Sequence, residues 1–150
     1  MVRRGLLVAA LVLALDLATK TMVLAWLREP VALAPFANLV VVWNEGVSFG
    51  MLGDAGPLVL IGLAGVITAL LVVWLSRTSE LFLASALGLV IGGAVGNVID
   101  RLRFGAVLDF LDLHVAGYHW PAFNVADSAI CIGAGLLLLD GLRSPRHRPT

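Results

Sequence analysis

The stretch Asn97–Asp127, NVIDRLRFGAVLDFLDLHVAGYHWPAFNVAD, lies between two long apolar segments and holds four of the ten acidic residues: Asp100, Asp109, Asp112 and Asp127. Carboxylates set against hydrocarbon are expensive, so their concentration at a membrane boundary marks a functional site whose partners must be found. The rest of the chain makes hydrocarbon the relevant medium. Of its 150 residues, 60% are hydrophobic and 13% charged, and the mean hydropathy is +1.00. A water-soluble domain of this length could not bury that much apolar surface. Nothing in the chain resembles a nucleic-acid surface. The single cysteine, Cys131, rules out a disulfide framework; it lies inside an apolar run and is expected to fill core space.

Four apolar segments, at about 6–26, 57–75, 81–98 and 125–142, are long enough at ~1.5 Å per residue to cross a hydrocarbon layer of about 30 Å. The first follows Arg3 and Arg4 as a signal peptide would. Its length, its lack of a small-x-small cleavage pattern and the interruption at Asp16 make it a retained helix. Pro57 suits the first turn of the second helix, and Ser79 is the expected N-cap of the third. One set of helix ends carries Arg3, Arg4, Arg77, Arg143, Arg146 and Arg148, the other Arg28, Arg101 and Arg103. The positive-inside rule therefore places both termini in the cytoplasm and the acidic stretch outside.

Two outward segments, about 36–52 and 104–115, read as β-rich. LVVVW from Leu39, the turn Asn44-Glu45-Gly46 and the following VSFGML suggest a strand, a turn and a second strand. Trp26, Trp43, Tyr118 and Trp120 fall where an interfacial aromatic belt belongs. The expected fold is thus a mainly α membrane protein: four transmembrane helices with a small extracytoplasmic β-rich platform, residues 1–150 forming a single integral-membrane domain. The basic tail, residues 143–150, would be solvated or lie on anionic headgroups. Ala84, Gly88, Gly92 and Gly96 recur every four residues and form a smooth helix face for a neighbouring helix. Gly93 widens that face and could let a substrate segment lie close.

Asn124 is placed to cap the last helix, and Asp127 then falls in its first turn, where a negative charge meets the positive end of the helix dipole. That structural role is sufficient to explain Asp127 alone. Its position at the bilayer boundary, shortly after a second carboxylate in the apolar run AVLDFL, supports a further one. In a strand, Asp109 and Asp112 point to opposite faces. If Asp109 meets Asp127, the two share a proton, the state in which one carboxylate activates water and the other protonates an amide carbonyl. Asp16 and Lys20 are spaced for a helical ion pair. Asp100 and Arg101 are read as an interfacial pair or cap, or as part of the site, and Asn44 and Asn97 have amides able to pair with an extended peptide.

Other chemistries fit less well. His114 and His119 with Asp112 would be a metal set without a metal-protease motif. A dyad of Lys20 with Ser48 or Ser128 would need a neutral lysine, which Asp16 opposes. An ion or proton transporter would use Asp16, Asp109 and Asp127 as relay sites, but the inner helix halves are almost purely apolar. A non-enzymatic membrane interaction protein would leave the clustered aspartates without a purpose.

Five blocks in order, DLATK from Asp16, NEGVSFG from Asn44, GGAVGNVIDR from Gly92, VLDFLD around Asp109 and FNVADSAICIG around Asp127, resemble those of the lipoprotein signal peptidases, or signal peptidase II. These are bacterial inner-membrane aspartic endopeptidases, and the resemblance runs from Asp16 to Gly133. It implies that Asp109 and Asp127 are the catalytic pair, that Asn44, Asn97, Arg101 and Asn124 line the substrate site, and that Asp16, Lys20, Gly46, Phe49 and Asp100 support it. It further implies a diacylglyceryl-modified prolipoprotein substrate cleaved just before its lipid-bearing cysteine, no metal or organic cofactor, and inhibition by globomycin. A monomer in contact with membrane lipids is expected.

Overall fold

The computed structural model describes residues 1–46 and 56–143. Within them the order is α1 (Val2–Trp26), β1 (Val31–Ala34), β2 (Ala37–Asn44), α2 (Gly56–Arg77), α3 (Leu81–Phe104), β3 (Val107–Val115), β4 (Tyr118–His119) and α4 (Val125–Arg143). All four helices are long and apolar enough to cross a membrane, and the strands form one antiparallel sheet in the order β1-β2-β3-β4. The fold class expected from the sequence is the one observed.

Helix α3 is the one around which the others assemble, packing against α1, α4 and α2. Its small residues allow this. A Cβ on Gly92 would come within 2.5 Å of the Ala9 carbonyl oxygen, and one on Gly96 within 2.6 Å of the Asp16 carboxylate. Gly88 abuts the Gly5 backbone, so the whole stripe receives α1. Gly93 is occupied by α4, against the Ala126 carbonyl, which corrects the expectation that it admits substrate. Between apolar helices in lipid, such backbone approach supplies the dispersion contact that the hydrophobic effect cannot. Near the chain start, Gly5 meets Leu75 and Ala84, whereas Asp16 meets Gly96 and Ala126. Both ends of the described chain therefore lie at the end of the bundle away from the sheet.

Several boundaries differ from expectation. Helix α1 begins at Val2 because Arg3 and Arg4 are good helix formers. Helix α3 runs on to Phe104 instead of stopping near 98, so Asn97, Asp100 and Arg101 share a helical face. It ends at Gly105, whose positive φ (75°) directs its N–H to the Arg101 carbonyl (3.0 Å). Strand β3 consequently starts at Val107, not 104. The N-cap of α3 is Glu80, not Ser79, and it makes no side-chain cap bond.

Of the expected hairpin around Asn44-Glu45-Gly46, the first strand is found as β2, Ala37–Asn44. Strand β2 pairs with β1 on one side and β3 on the other. Its supposed partner after the turn, with Ser48 and Phe49, lies outside the described residues, as does the tail beyond Arg143. An unexpected hairpin joins β3 to β4 through Ala116-Gly117, both with positive φ (51° and 80°), as the favoured two-residue turn requires.

Candidate active site

Each aspartate of the proposed pair is delivered by a different element. In β3, Asp109 lies opposite Val42 of β2, and Asn44 lies opposite Val107. Asn44 is thus a diagonal neighbour of Asp109 across the ladder, and its Nδ2 donates to Asp109 Oδ2 (2.9 Å). The return segment before α4 then runs antiparallel along β3. Phe123 accepts from the backbone of Phe110 and Leu111 and donates to Leu111 (3.1, 2.9 and 3.1 Å). That register brings Asn124 beside Asp109, whose Oδ1 accepts from Asn124 Nδ2 at 2.8 Å.

Asn124 is also the N-cap of α4, where it forms a reciprocal capping arrangement. Its Oδ1 accepts from the Asp127 N–H (2.8 Å), and the Asp127 carboxylate accepts from the Asn124 N–H (3.3 Å). The other Asp127 oxygen accepts from Asn97 Nδ2 at 2.8 Å, and Asn97 Oδ1 accepts from Asn124 Nδ2 at 3.4 Å. Asn44, Asn97 and Asn124 thus hold the two carboxylates by their amides. The sequence suggests Asn44 and Asn97 as partners for a peptide; the described contacts of their Nδ2 groups go to the aspartates.

Asp109 is 1% exposed. Burial pushes its carboxyl up to about 6, the Asn44 amide opposes this by favouring the charged form, and the negative charge of Asp127 raises it further. Asp112, on the other face of the strand, is held below the ordinary carboxylate range by Asn38 and then by His119. Asn38 donates to it at 2.9 Å and His119 Nδ1 lies 2.8 Å away, while the His114 and His119 rings stack with centroids 4.8 Å apart. These residues tie the sheet together, away from the pair.

Beneath the site lies a buried ionic cluster. Lys20 Nζ contacts Asp16 (2.7 Å), Asp100 (2.9 Å) and the Asn97 side-chain oxygen (3.3 Å), which accounts for all three ammonium protons. Asp16 also accepts from the Ala126 N–H (3.0 Å) at the start of α4, and Asp100 from the Leu108 N–H (3.1 Å) at the start of β3. The cluster therefore grips both elements that carry the aspartates. Sequence spacing showed the Asp16–Lys20 pair but not these backbone partners, because they arise only when α1 packs against α3 and α4.

Asp100 is thereby paired with Lys20, and among the described residues Arg101 makes no ion pair with it. The Arg101 guanidinium instead lies beneath Gly46, 3.0 Å from where a Cβ would stand; Gly46 has positive φ (76°). With Lys20 saturated and the Ser128 hydroxyl donating to the Asn124 carbonyl (3.0 Å), the Lys20–Ser128 alternative has no geometry, and Ser48 lies outside the described residues. Phe49, expected to support the site, also lies outside them.

Each carboxylate of the pair borders a recess of its own. A polar one of about 620 Å³ opens onto Asp109 and is lined by Trp43, Asn44, Glu45 and Pro121, among others. An apolar one of about 380 Å³ opens onto Asp127, lined by Trp120, Phe123, Ser128, Cys131 and Ile132. Cys131 is exposed, not core filler as its apolar context suggested. Nothing in the sequence marked either recess, since their walls come from separate elements.

The family profile described as "Signal peptidase (SPase) II" matches residues 8–143. A lipoprotein signal peptidase of Methylobacterium sp. is 50% identical over 143 residues, 91% of this chain and 87% of that protein. One from Ralstonia nicotianae is 52% identical, covering 75% and 67%. Among solved structures, a bacterial membrane enzyme determined by the in meso method at 1.9 Å superposes with a TM-score of 0.86 at 30% identity, covering 94% of both chains. Another, at 2.3 Å, gives 0.81 at 29% identity, covering 97% and 93%.

Proposed function

Because this chain belongs to the signal peptidase II family, we propose that Asp109 and Asp127 are the catalytic pair of an aspartic endopeptidase. Its substrate is a diacylglyceryl-modified prolipoprotein, cut immediately before the lipid-bearing cysteine. The observation that carries the site assignment is the amide network through Asn44, Asn97 and Asn124, which holds the two carboxylates beside one another. Burial raises the Asp109 carboxyl, so in this reading Asp109 is the proton donor of the pair, and Asp127 lies in the first turn of α4. Asp127 then takes a proton from water as its oxygen bonds to the scissile carbonyl carbon, and Asp109 gives its proton to the carbonyl oxygen. The carbon–nitrogen bond breaks in the second step, with the departing nitrogen protonated by the pair. Arg101 orients a substrate carbonyl by hydrogen bonding, while Asp16, Lys20, Gly46 and Asp100 hold the frame.

The protein is a multi-pass bacterial membrane peptidase. We place the sheet end outside and both termini in the cytoplasm, since Arg3, Arg4 and Arg77 lie at the opposite end of the bundle. We further propose that the chain works as a monomer forming one integral-membrane domain in contact with lipid.

The test is cleavage of a purified diacylated prolipoprotein by wild type, Asp109→Asn and Asp127→Asn, with globomycin as a check on the wild-type reaction. Each substitution nearly preserves shape and should lower turnover by about 10²–10⁴-fold or more. Full activity in either correctly folded variant would remove the assignment.

A further inference from the structure

Successive side chains of a strand face opposite ways, and β3 has a further recess behind it. Asp109 borders the polar recess of the pair, whereas Leu108 lines a groove of about 300 Å³ on the other face. Two helices wall this groove. Leu17, Thr21 and Leu24 recur at helical spacing along α1, and Asp100, Arg103 and Phe104 do so at the end of α3. From Leu17 to Ala25 the α1 wall runs for about 12 Å at ~1.5 Å per residue. It belongs to a helix apolar enough to cross a membrane, so the groove opens to hydrocarbon.

The charges along this groove differ in what they leave available. Lys20 Nζ is shared by Asp16, Asp100 and Asn97, and Asp100 also accepts from the Leu108 N–H, so neither has much to offer a ligand. Arg103, nearly one turn closer to the sheet end, is exposed and makes no ion pair among the described residues. Its guanidinium carbon lies 5.0 Å from the centroid of the Phe104 ring, which is therefore already engaged by a cation. The residues lining the groove include no acid at that level to receive a headgroup ammonium. An anionic phosphodiester complements this end, since an arginine fork matches phosphate oxygens, and hydrocarbon complements the rest. We propose that the groove holds a glycerophospholipid with a net negative headgroup, its phosphate on Arg103 and one acyl chain along Leu17, Thr21 and Leu24. This lipid is distinct from the substrate, because it lies on the face of β3 turned away from Asp109. By packing on Leu108 and Phe104 it braces the junction of α3 with the strand that carries Asp109.

The experiment offers the full chain, purified in a neutral detergent, dioleoylphosphatidylglycerol or dioleoylphosphatidylcholine, which carry the same acyl chains, and measures retained lipid by native mass spectrometry. Wild type should retain one phosphatidylglycerol with about tenfold preference, the effect of one hydrogen-bonded contact to a charged group. Its thermal unfolding midpoint should rise more with that lipid than with the other. Arg103→Gln should erase the preference, and Thr21→Trp, which fills the acyl part of the groove, should lower retention of both lipids. Phosphatidylglycerol with a diazirine in one acyl chain should label the α1 segment from Leu17 to Ala25 in wild type and not in Thr21→Trp. Equal retention of the two lipids by wild type would overturn the proposal. A preference that persists in Arg103→Gln would do the same, since arginines elsewhere are then the binders, as would labelling confined to α2 or α4. No substrate is present, so the result is independent of the peptidase reading.

Discussion

The ammonium of Lys20 on α1 lies 2.9 Å from the carboxylate of Asp100 on α3, with both side chains buried. Removing one member of a buried ionic group strands the others without compensation, at about 3–5 kcal/mol. Lys20→Met should therefore lower stability by about that amount and reduce peptidase activity further by releasing the starts of β3 and α4. The combined Asp16→Asn, Lys20→Met, Asp100→Asn variant should recover part of the stability. Thermal unfolding in detergent, followed by tryptophan fluorescence, measures both; an unchanged midpoint in Lys20→Met would show that the cluster does not hold the fold.

If Asp109 acts as proposed, Asn44 should set the pH range of the reaction through it. Its amide favours the charged carboxylate and so opposes the burial that raises Asp109 to about 6. In Asn44→Ala the proton is held to higher pH, and the alkaline limb of kcat/KM should move upward while the maximum falls. The sign for stability is the same as for the proton: Asp109 contributes stability that is full below the unfolded-state value near 3.9 and is lost as pH rises through about 6. A limb that stays or moves down in Asn44→Ala would contradict this.

Close approach of α1 to α3 depends on Gly92, where a Cβ would stand 2.5 Å from the Ala9 carbonyl oxygen. Backbone cannot yield as a side chain can, so Gly92→Val should destabilise by about 1–3 kcal/mol. Gly62, with nothing within 4 Å among the described residues, provides the comparison. Gly62→Ala should leave the unfolding midpoint in detergent unchanged or raise it.

Ala116 adopts φ 51° in the β3–β4 turn, a conformation that costs an L-residue roughly 1–2 kcal/mol. Asn tolerates it better, so Ala116→Asn should raise the unfolding midpoint with cleavage activity retained. A lower midpoint would show that the turn is held by contacts of the alanine methyl.

The lipid-crossing helices were legible because apolar length is a local property of the chain. So were the Asn124 cap and the Asp16–Lys20 pair, each contained within about one turn of a single helix. The extension of α3 to Phe104 was not, because the partner of its polar end is a lysine on α1, and its stop is set by Gly105 beyond the apolar run. Nor were the partners of β2 legible: turn chemistry is visible at Asn44-Glu45-Gly46, but the pairing of β2 with β1 and β3 is chosen by packing.

By itself, the sequence determined that this chain is a four-helix membrane protein, that its acids gather at one bundle end, and that its blocks are those of a peptidase family. Only the tertiary structure decided which groups touch. Asp109 and Asp127 come from a strand and a helix whose alignment depends on the Phe123 register and on Asp16 and Asp100 holding backbone amides of two other elements. The same assembly left Cys131 exposed beside Asp127. Hydropathy and capping depend on neighbours along the chain, whereas proton sharing depends on distances across it, set only when α1, α3 and α4 close around the glycine stripe.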